Sequence, residues 1–149
     1  MSALGAGISA GVFFAFSTFV MRGLNQPAGE AVAAMQGINL AAPTPVFMAA
    51  LFGTGALGLG VAVRALVDTD RPGVTWTIAG AAMHLATLAL TAGFHVPRDN
   101  ALAAIGPNDT TVDARWATYL GQWTTANHLR IVLCAGAAVA CIVGCRRGT

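Results

Sequence analysis

Four stretches of this chain, residues 3–21, 45–66, 74–96 and 127–145, are each apolar over nearly the length needed to cross a lipid bilayer. A spanning helix needs about 20 predominantly apolar residues, because the hydrocarbon layer is about 30 Å thick and a helix rises about 1.5 Å per residue. Lipid offers no hydrogen bonds to an extended backbone, so each stretch must be helical. Composition points the same way: 56% of residues are hydrophobic and 9% charged, against about 25% charge in soluble domains. The expected fold is an all-α integral membrane four-helix bundle, a single domain over residues 1–149. Its first partner is the lipid bilayer. A scattered net charge of +2 gives no footprint for nucleic acid.

Arg22-Gly23, Arg64 with Asp68 to Gly73, Pro97-Arg98-Asp99-Asn100 and Arg146-Arg147 bound the spans. Met1 to Gly7 carry no positive n-region, so the first stretch reads as a retained helix and not a cleaved signal. The connections are unequal. Only a short polar turn, Val67 to Gly73, joins spans two and three, whereas the other two connections are long and share one side of the membrane. Gln26 to Asn39 reads as a short amphipathic helix with Ala31, Met35 and Ile38 on one face, ended by Pro43 and Pro45. Arg98 to Asp109 reads as irregular, followed by a second short helix from Thr110 or Thr111. Two interfacial helices are therefore expected on one side of the bundle.

Small residues repeat at four-residue spacing in span two (Ala50, Thr54, Gly58; Ala49, Gly53), which lets membrane helices approach closely. This places helices two and three near the centre. The remaining Gly-rich surface is compatible with a homo-oligomer. An even helix count puts both termini on one side. Arg residues are tied between the sides, and the termini are assigned to the cytoplasm because the loop-side Arg read as part of a site.

Polar groups inside a bilayer normally face the bundle interior or a cavity and are functional candidates. In span three, Thr77, His84, Thr87, Thr91 and His95 form one helical stripe. Thr hydroxyls there are explained by bonds back to their own helix; His84 needs a partner. Cys134, Cys141 and Cys145 share a helical face without a metal-binding signature and read as small hydrophobes. The run Trp116-x-x-Tyr119-x-x-x-Trp123-x-x-x-Asn127-His128-x-Arg130 is the second feature. On one helix Trp116, Tyr119, Trp123, Asn127 and Arg130 make a continuous stripe, with His128 turned about 100° away. An aromatic belt with a snorkelling Arg accounts for Trp116 and Tyr119. It does not account for Asn127, His128 and Arg130 together, which point to a cavity or a hydrogen-bond network. Phe94-His95-Val96-Pro97-Arg98-Asp99-Asn100 ends span three on the same side. Two imidazoles, two amides and one or two guanidiniums thus converge, and imidazole is the side chain suited to moving protons near neutral pH.

Four blocks in order, Phe16-Ser17 with Val20-Met21-x-Gly23-Leu24, Ala34-Met35-Gln36-x-Ile38-Asn39, Val96-Pro97-x-x-Asn100-Ala101-Leu102, and the Trp116 to Arg130 run, give the chain a likeness over nearly its whole length. The chain resembles the anthrone oxygenase family. The resemblance implies four helices and, as in fungal and bacterial polyketide pathways, oxidation of an anthrone-like polycyclic aromatic substrate to a quinone with O2 as co-substrate. One position departs from it: family members commonly carry Asn where this chain has His95.

Under this reading the general base is His128, with His95 as its competitor. Arg130 and Asn127 stabilise the developing oxyanion in a site with little water. Trp116, Trp123 and Tyr119 pack on the substrate, Gln36 and Asn39 close the site from the first loop, and Asn100 and His84 complete the candidate set. No GxGxxG, P-loop or Cys/His metal signature is present, so no bound organic cofactor and no metal is assigned. A haem or copper ion with His84 as axial ligand leaves no such trace, and a metal-dependent membrane oxidase stays open. A non-enzymatic alternative is a membrane binding or accessory protein that holds a quinone or lipid or serves a larger complex. In that case the Asn-His-Arg cluster is a structural network. Without an internal repeat, a broken helix pair or a charge midway through a span, the chain does not read as a transporter.

Overall fold

The computed structural model describes residues 2–24, 26–67 and 69–148. Asp68, expected at the turn after span two, lies outside them. The described residues form five helices: α1 (Ser2–Gly23), α2 (Ala28–Ala41), α3 (Pro45–Val67), α4 (Val74–Ala103) and α5 (Val112–Arg147). Four of these, α1, α3, α4 and α5, are long and apolar enough to span a membrane. Large apolar side chains such as Leu4, Phe14, Phe52, Leu57, Val96 and Val132 face outwards on all four. In water such a surface would aggregate; in lipid it is matched. The protein is a multi-pass membrane helical bundle.

Two helices run further than the sequence pattern indicates. α4 passes straight through Pro97 to Ala103, where an irregular stretch was expected from Arg98. A π-helical turn at Thr91–His95 precedes the proline. Widening the helix there accommodates a residue that has no N–H and would otherwise clash with the preceding turn. α5 is one helix of 36 residues, about 54 Å long. The expected second interfacial helix is its first few turns, continuous with the fourth span, so only α2 stands as a separate short helix.

The centre of the bundle is α5 with α4; α3, which the small-residue pattern also places there, packs mainly on α4. The closest partners of α5 are α4 and α1. Small residues do set the helix spacing. A Cβ on Gly5 would overlap Thr54 Oγ1, and one on Gly80 would lie 3.2 Å from the Ala137 carbonyl oxygen. At the loop-rich end, α2 lays Ala31, Val32 and Met35 over Trp116, Tyr119 and Trp123, with Leu102 and Ile105 alongside. Asp109 heads the approach to α5. The Thr111 hydroxyl and amide both donate to Oδ1, at 2.6 and 2.8 Å, and Arg115 pairs with Oδ2 at 2.7 Å. Together these hold the Asp109 carboxyl below the usual carboxylate range, the hydroxyl contributing most.

At the opposite end, Gly73 turns the chain from α3 into α4 with φ 83°, and a Cβ there would stand 2.6 Å from the Gly144 carbonyl oxygen. Gly73→Ala should therefore destabilise the bundle by about 2–3 kcal/mol, from left-handed strain and steric overlap together. Gly11 has nothing within 4 Å of its would-be Cβ, so Gly11→Ala should be neutral or stabilise by up to about 1 kcal/mol. Denaturant unfolding in detergent micelles measures both.

Candidate functional site

Because α5 is unbroken, Trp116, Tyr119, Trp123, Asn127 and Arg130 do form one buried stripe along it. Asn127 is its knot. It is 0% exposed, and its Nδ2 donates to the Phe13 carbonyl oxygen at 2.7 Å and to Ser17 Oγ at 2.8 Å. Both partners sit beside the π-helical turn Phe16–Val20 of α1, where a widened helix loosens its own hydrogen-bond ladder. On the other side Asn127 Oδ1 accepts from Arg130 Nε at 3.1 Å and Nη2 at 2.7 Å.

Arg130 is 5% exposed. Its guanidinium lies 4.2 Å from the centre of the Phe13 ring and 5.1 Å from that of Trp123. Nη1 reaches Thr91 Oγ1 at 3.5 Å. No carboxylate among the described residues comes within ion-pairing distance of it. A guanidinium has five N–H donors, and these contacts occupy three. A buried cation with N–H groups to spare is suited to an anionic oxygen.

His95 faces the same indole. It is 1% exposed and stands edge-on to Trp123, ring centres 5.3 Å apart. Its Nδ1 lies 3.3 Å from the Leu90 carbonyl oxygen. A carbonyl only accepts, so a proton on Nδ1 leaves the lone pair on Nε2; the Trp123 backbone also hydrogen-bonds the ring. That Nε2 is buried without a hydrogen-bond partner of good geometry. Asp99, one turn further along α4, accepts from Tyr119 Oη at 2.7 Å and Trp123 Nε1 at 3.1 Å, fixing the indole between His95 and Arg130. Trp116 stacks on Tyr119 at 5.7 Å.

The remaining expected residues divide. Gln36 Nε2 donates to the carbonyl oxygens of Leu102 at 2.9 Å and Ile105 at 3.1 Å; it clamps α2 to the end of α4 and has no N–H left for a substrate. Asn39 lies with the cluster, its side chain against the Tyr119 hydroxyl. His128 does not belong. It is exposed on the outer face of α5 beside Leu129, because the 100° step that carries Asn127 and Arg130 inwards carries it out. Asn100 is likewise exposed. His84 is buried elsewhere, its Nε2 on the Leu51 carbonyl oxygen at 2.8 Å, about 16 Å along α4 from His95. The sequence reading missed Asp99, Ser17 and Phe13. Asp99 follows His95 by one helical turn, a signal hidden by ending the helix at Pro97; the other two depend on a contact across more than a hundred residues. Among the described residues, no three His, Cys, Asp or Glu side chains gather as a metal centre would require.

Residues 44–140 match the family described as anthrone oxygenase. The chain belongs to that family. No curated protein and no solved structure matches it. The matched region holds α3, α4 and most of α5 of this family member, with His95, Asp99, Asn127 and Arg130; α1 and α2, which supply Phe13, Ser17 and Gln36, precede it.

Asn127→Ala removes the double acceptor of a buried guanidinium and strands the Phe13 carbonyl. It should cost about 2–4 kcal/mol. His128→Ala should stay within about 0.5 kcal/mol of the parent. Thermal unfolding in detergent separates the two.

Proposed function

We propose that this protein is a membrane-embedded oxygenase that converts an anthrone-like polycyclic phenol to a quinone with O2, and that His95 is its general base. The reading rests on family membership for the reaction class. For the residues it rests on one observation: the imidazole ring of His95 and the guanidinium of Arg130, which has no carboxylate at ion-pairing distance among the described residues, flank the same buried indole, Trp123, at 5.3 and 5.1 Å. His95 takes the place given to His128 from sequence, because His128 faces outwards.

The chemistry is economical in groups. His95 Nε2 removes a proton from the methylene of the anthrone, leaving an electron-rich anthrolate whose oxygen is held by Arg130 with Asn127 behind it. The anthrolate gives one electron to O2, and the resulting radical pair recombines at the same carbon. The peroxide oxygen takes the proton back from the imidazolium; loss of the second proton from the same carbon then breaks the O–O bond, the departing hydroxide takes that proton as water, and the carbon–oxygen bond becomes the quinone carbonyl. One anthrone and one O2 become one quinone and one water. Trp116, Tyr119 and Trp123 supply flat faces for the rings, with O2 and substrate both drawn from lipid. The protein belongs, in this proposal, to the cell membrane, with cytoplasmic termini. No bound cofactor enters these steps.

His95, Asn127 and Arg130 are closed over by packing, and that favours a second reading, a structural network in a non-enzymatic membrane protein. The oxygenase reading requires α2 and Trp123 to part for substrate. Oxygen uptake by purified protein with dithranol or emodin anthrone, together with metal analysis, decides between them. The oxygenase should consume O2 above the spontaneous rate. His95→Ala should lower that rate by about 10²–10⁴-fold and Arg130→Gln by about 10²–10³-fold, with His128→Ala unchanged. Loss of activity in His128→Ala would return the base to that residue, a stoichiometric metal or haem would replace the mechanism, and uptake at the spontaneous rate favours the network.

A further inference from the structure

His84 takes no part in the reaction above, and its surroundings point to a separate site. It lies ten residues into α4, about 15 Å from the termini-side end, in the middle of a hydrocarbon layer about 30 Å thick. It is 2% exposed. Nε2 lies 2.8 Å from the Leu51 carbonyl oxygen, within the π-helical turn Ala49–Gly53 of α3. That acceptor requires the proton on Nε2, so Nδ1 carries the lone pair. Nδ1 is buried and has no partner. An unmet acceptor at membrane depth is costly, and what satisfies it must be a hydrogen-bond donor.

Space for one exists. His84 lines a cavity of about 30 Å³ together with Thr54, Gly58, Thr77, Ala81 and Cys141. About 10–15 Å³ on this measure holds one water molecule, given polar partners. The cavity walls are mostly apolar, with Thr54 among the lining residues and the Thr77 hydroxyl already donated to the Gly73 carbonyl oxygen at 3.3 Å. The small residues keep the space open: a Cβ added at Gly58 would still stand 3.7 Å from Ala81. The cavity has a neighbour on the termini side, an open pocket of about 280 Å³ rimmed by Arg64 and Arg71. Val61 and Thr77 line both. Towards the opposite side the way is shut, with Leu51, Thr87 and Cys134 all buried and Cys134 Sγ on Thr87 Oγ1 at 3.5 Å.

We propose that His84 is a water-binding site at the centre of the bundle, hydrated from the termini side through the passage between Val61 and Thr77 and sealed from the Arg130 cluster. The ligand is water, donating to Nδ1. The passage is a half-channel: it brings exchangeable protons to the bilayer midplane without connecting the two surfaces. The site stands independently of the anthrone chemistry.

Water-edited solid-state NMR of histidine-labelled protein in bilayers tests this, with His84→Gln identifying the resonance. Magnetisation should pass from water to the His84 ring several-fold faster than to the closed ring of His95, and Nδ1 should show the shift of a hydrogen-bonded acceptor. Ala81→Leu, which fills the cavity, should bring His84 down to the His95 rate while leaving the His95 spectrum in place. Transfer to His84 no faster than to His95 in the parent protein, with Nδ1 at the shift of a bare ring nitrogen, would overturn the proposal and leave a dry cavity. That comparison within the parent protein decides the matter even if Ala81→Leu does not fold.

Discussion

Hydrocarbon does not hydrogen-bond, so every backbone carbonyl inside the bundle must find a donor within the protein. Three of the spanning helices depart from regular α-geometry, at Phe16–Val20, Ala49–Gly53 and Thr91–His95. At or beside each departure one carbonyl accepts from a polar side chain: Phe13 from Asn127, Leu51 from His84, Leu90 from His95. These are among the few polar side chains buried in the bundle. The irregular turns and the buried polar groups are thus one design. Each loosened turn exposes an acceptor, and each acceptor fixes the tautomer or orientation of the group that meets it. Asn127 is held with its oxygen towards Arg130, and the His84 imidazole is held with one nitrogen committed and the other bare.

The same logic explains why a full positive charge can sit at Arg130. Its charge is spread over two aromatic faces and one amide oxygen, with Asp99 further off behind the Tyr119 and Trp123 donors. A direct carboxylate partner would neutralise it and use its remaining N–H groups. Asp99 instead orients the aromatic rings. Removing either half of such an arrangement costs more than the pair contributes, since what remains is buried and unmet.

How much of this was legible depended on the range over which each signal acts. Apolar length fixes a span locally, so all four were readable, and the inward face of α2 followed from Ala31, Met35 and Ile38. The stripe from Trp116 to Arg130 was readable because helical period alone aligns it. His128 was misplaced for the complementary reason: a polar residue beside a polar stripe attracts a role, while one residue is enough to turn it outwards. Helix ends were less legible. Pro97 reads as a stop, and only the preceding wide turn lets α4 continue and carry Asp99 under Tyr119. The partners of Asn127 were out of reach, since no local pattern ties Phe13 and Ser17 to a residue on α5. The central position of α5 was hidden too, because small-residue spacing marks close approach without saying which pair lies innermost.

The length of α5 also sets the depth of the cluster. Asn127 lies about 30 Å along the helix from Arg147 at 1.5 Å per residue, one hydrocarbon thickness from the termini-side edge. The aromatic stripe from Trp116 to Trp123 therefore stands at the level of the lipid headgroups, where a polycyclic phenol also settles, rings in the acyl region and hydroxyls towards water. On the oxygenase proposal above, substrate and site meet in a two-dimensional layer. The concentration that governs turnover is then moles of phenol per mole of lipid, and adding empty vesicles at fixed total phenol dilutes the substrate as surely as adding solvent dilutes it for a soluble enzyme.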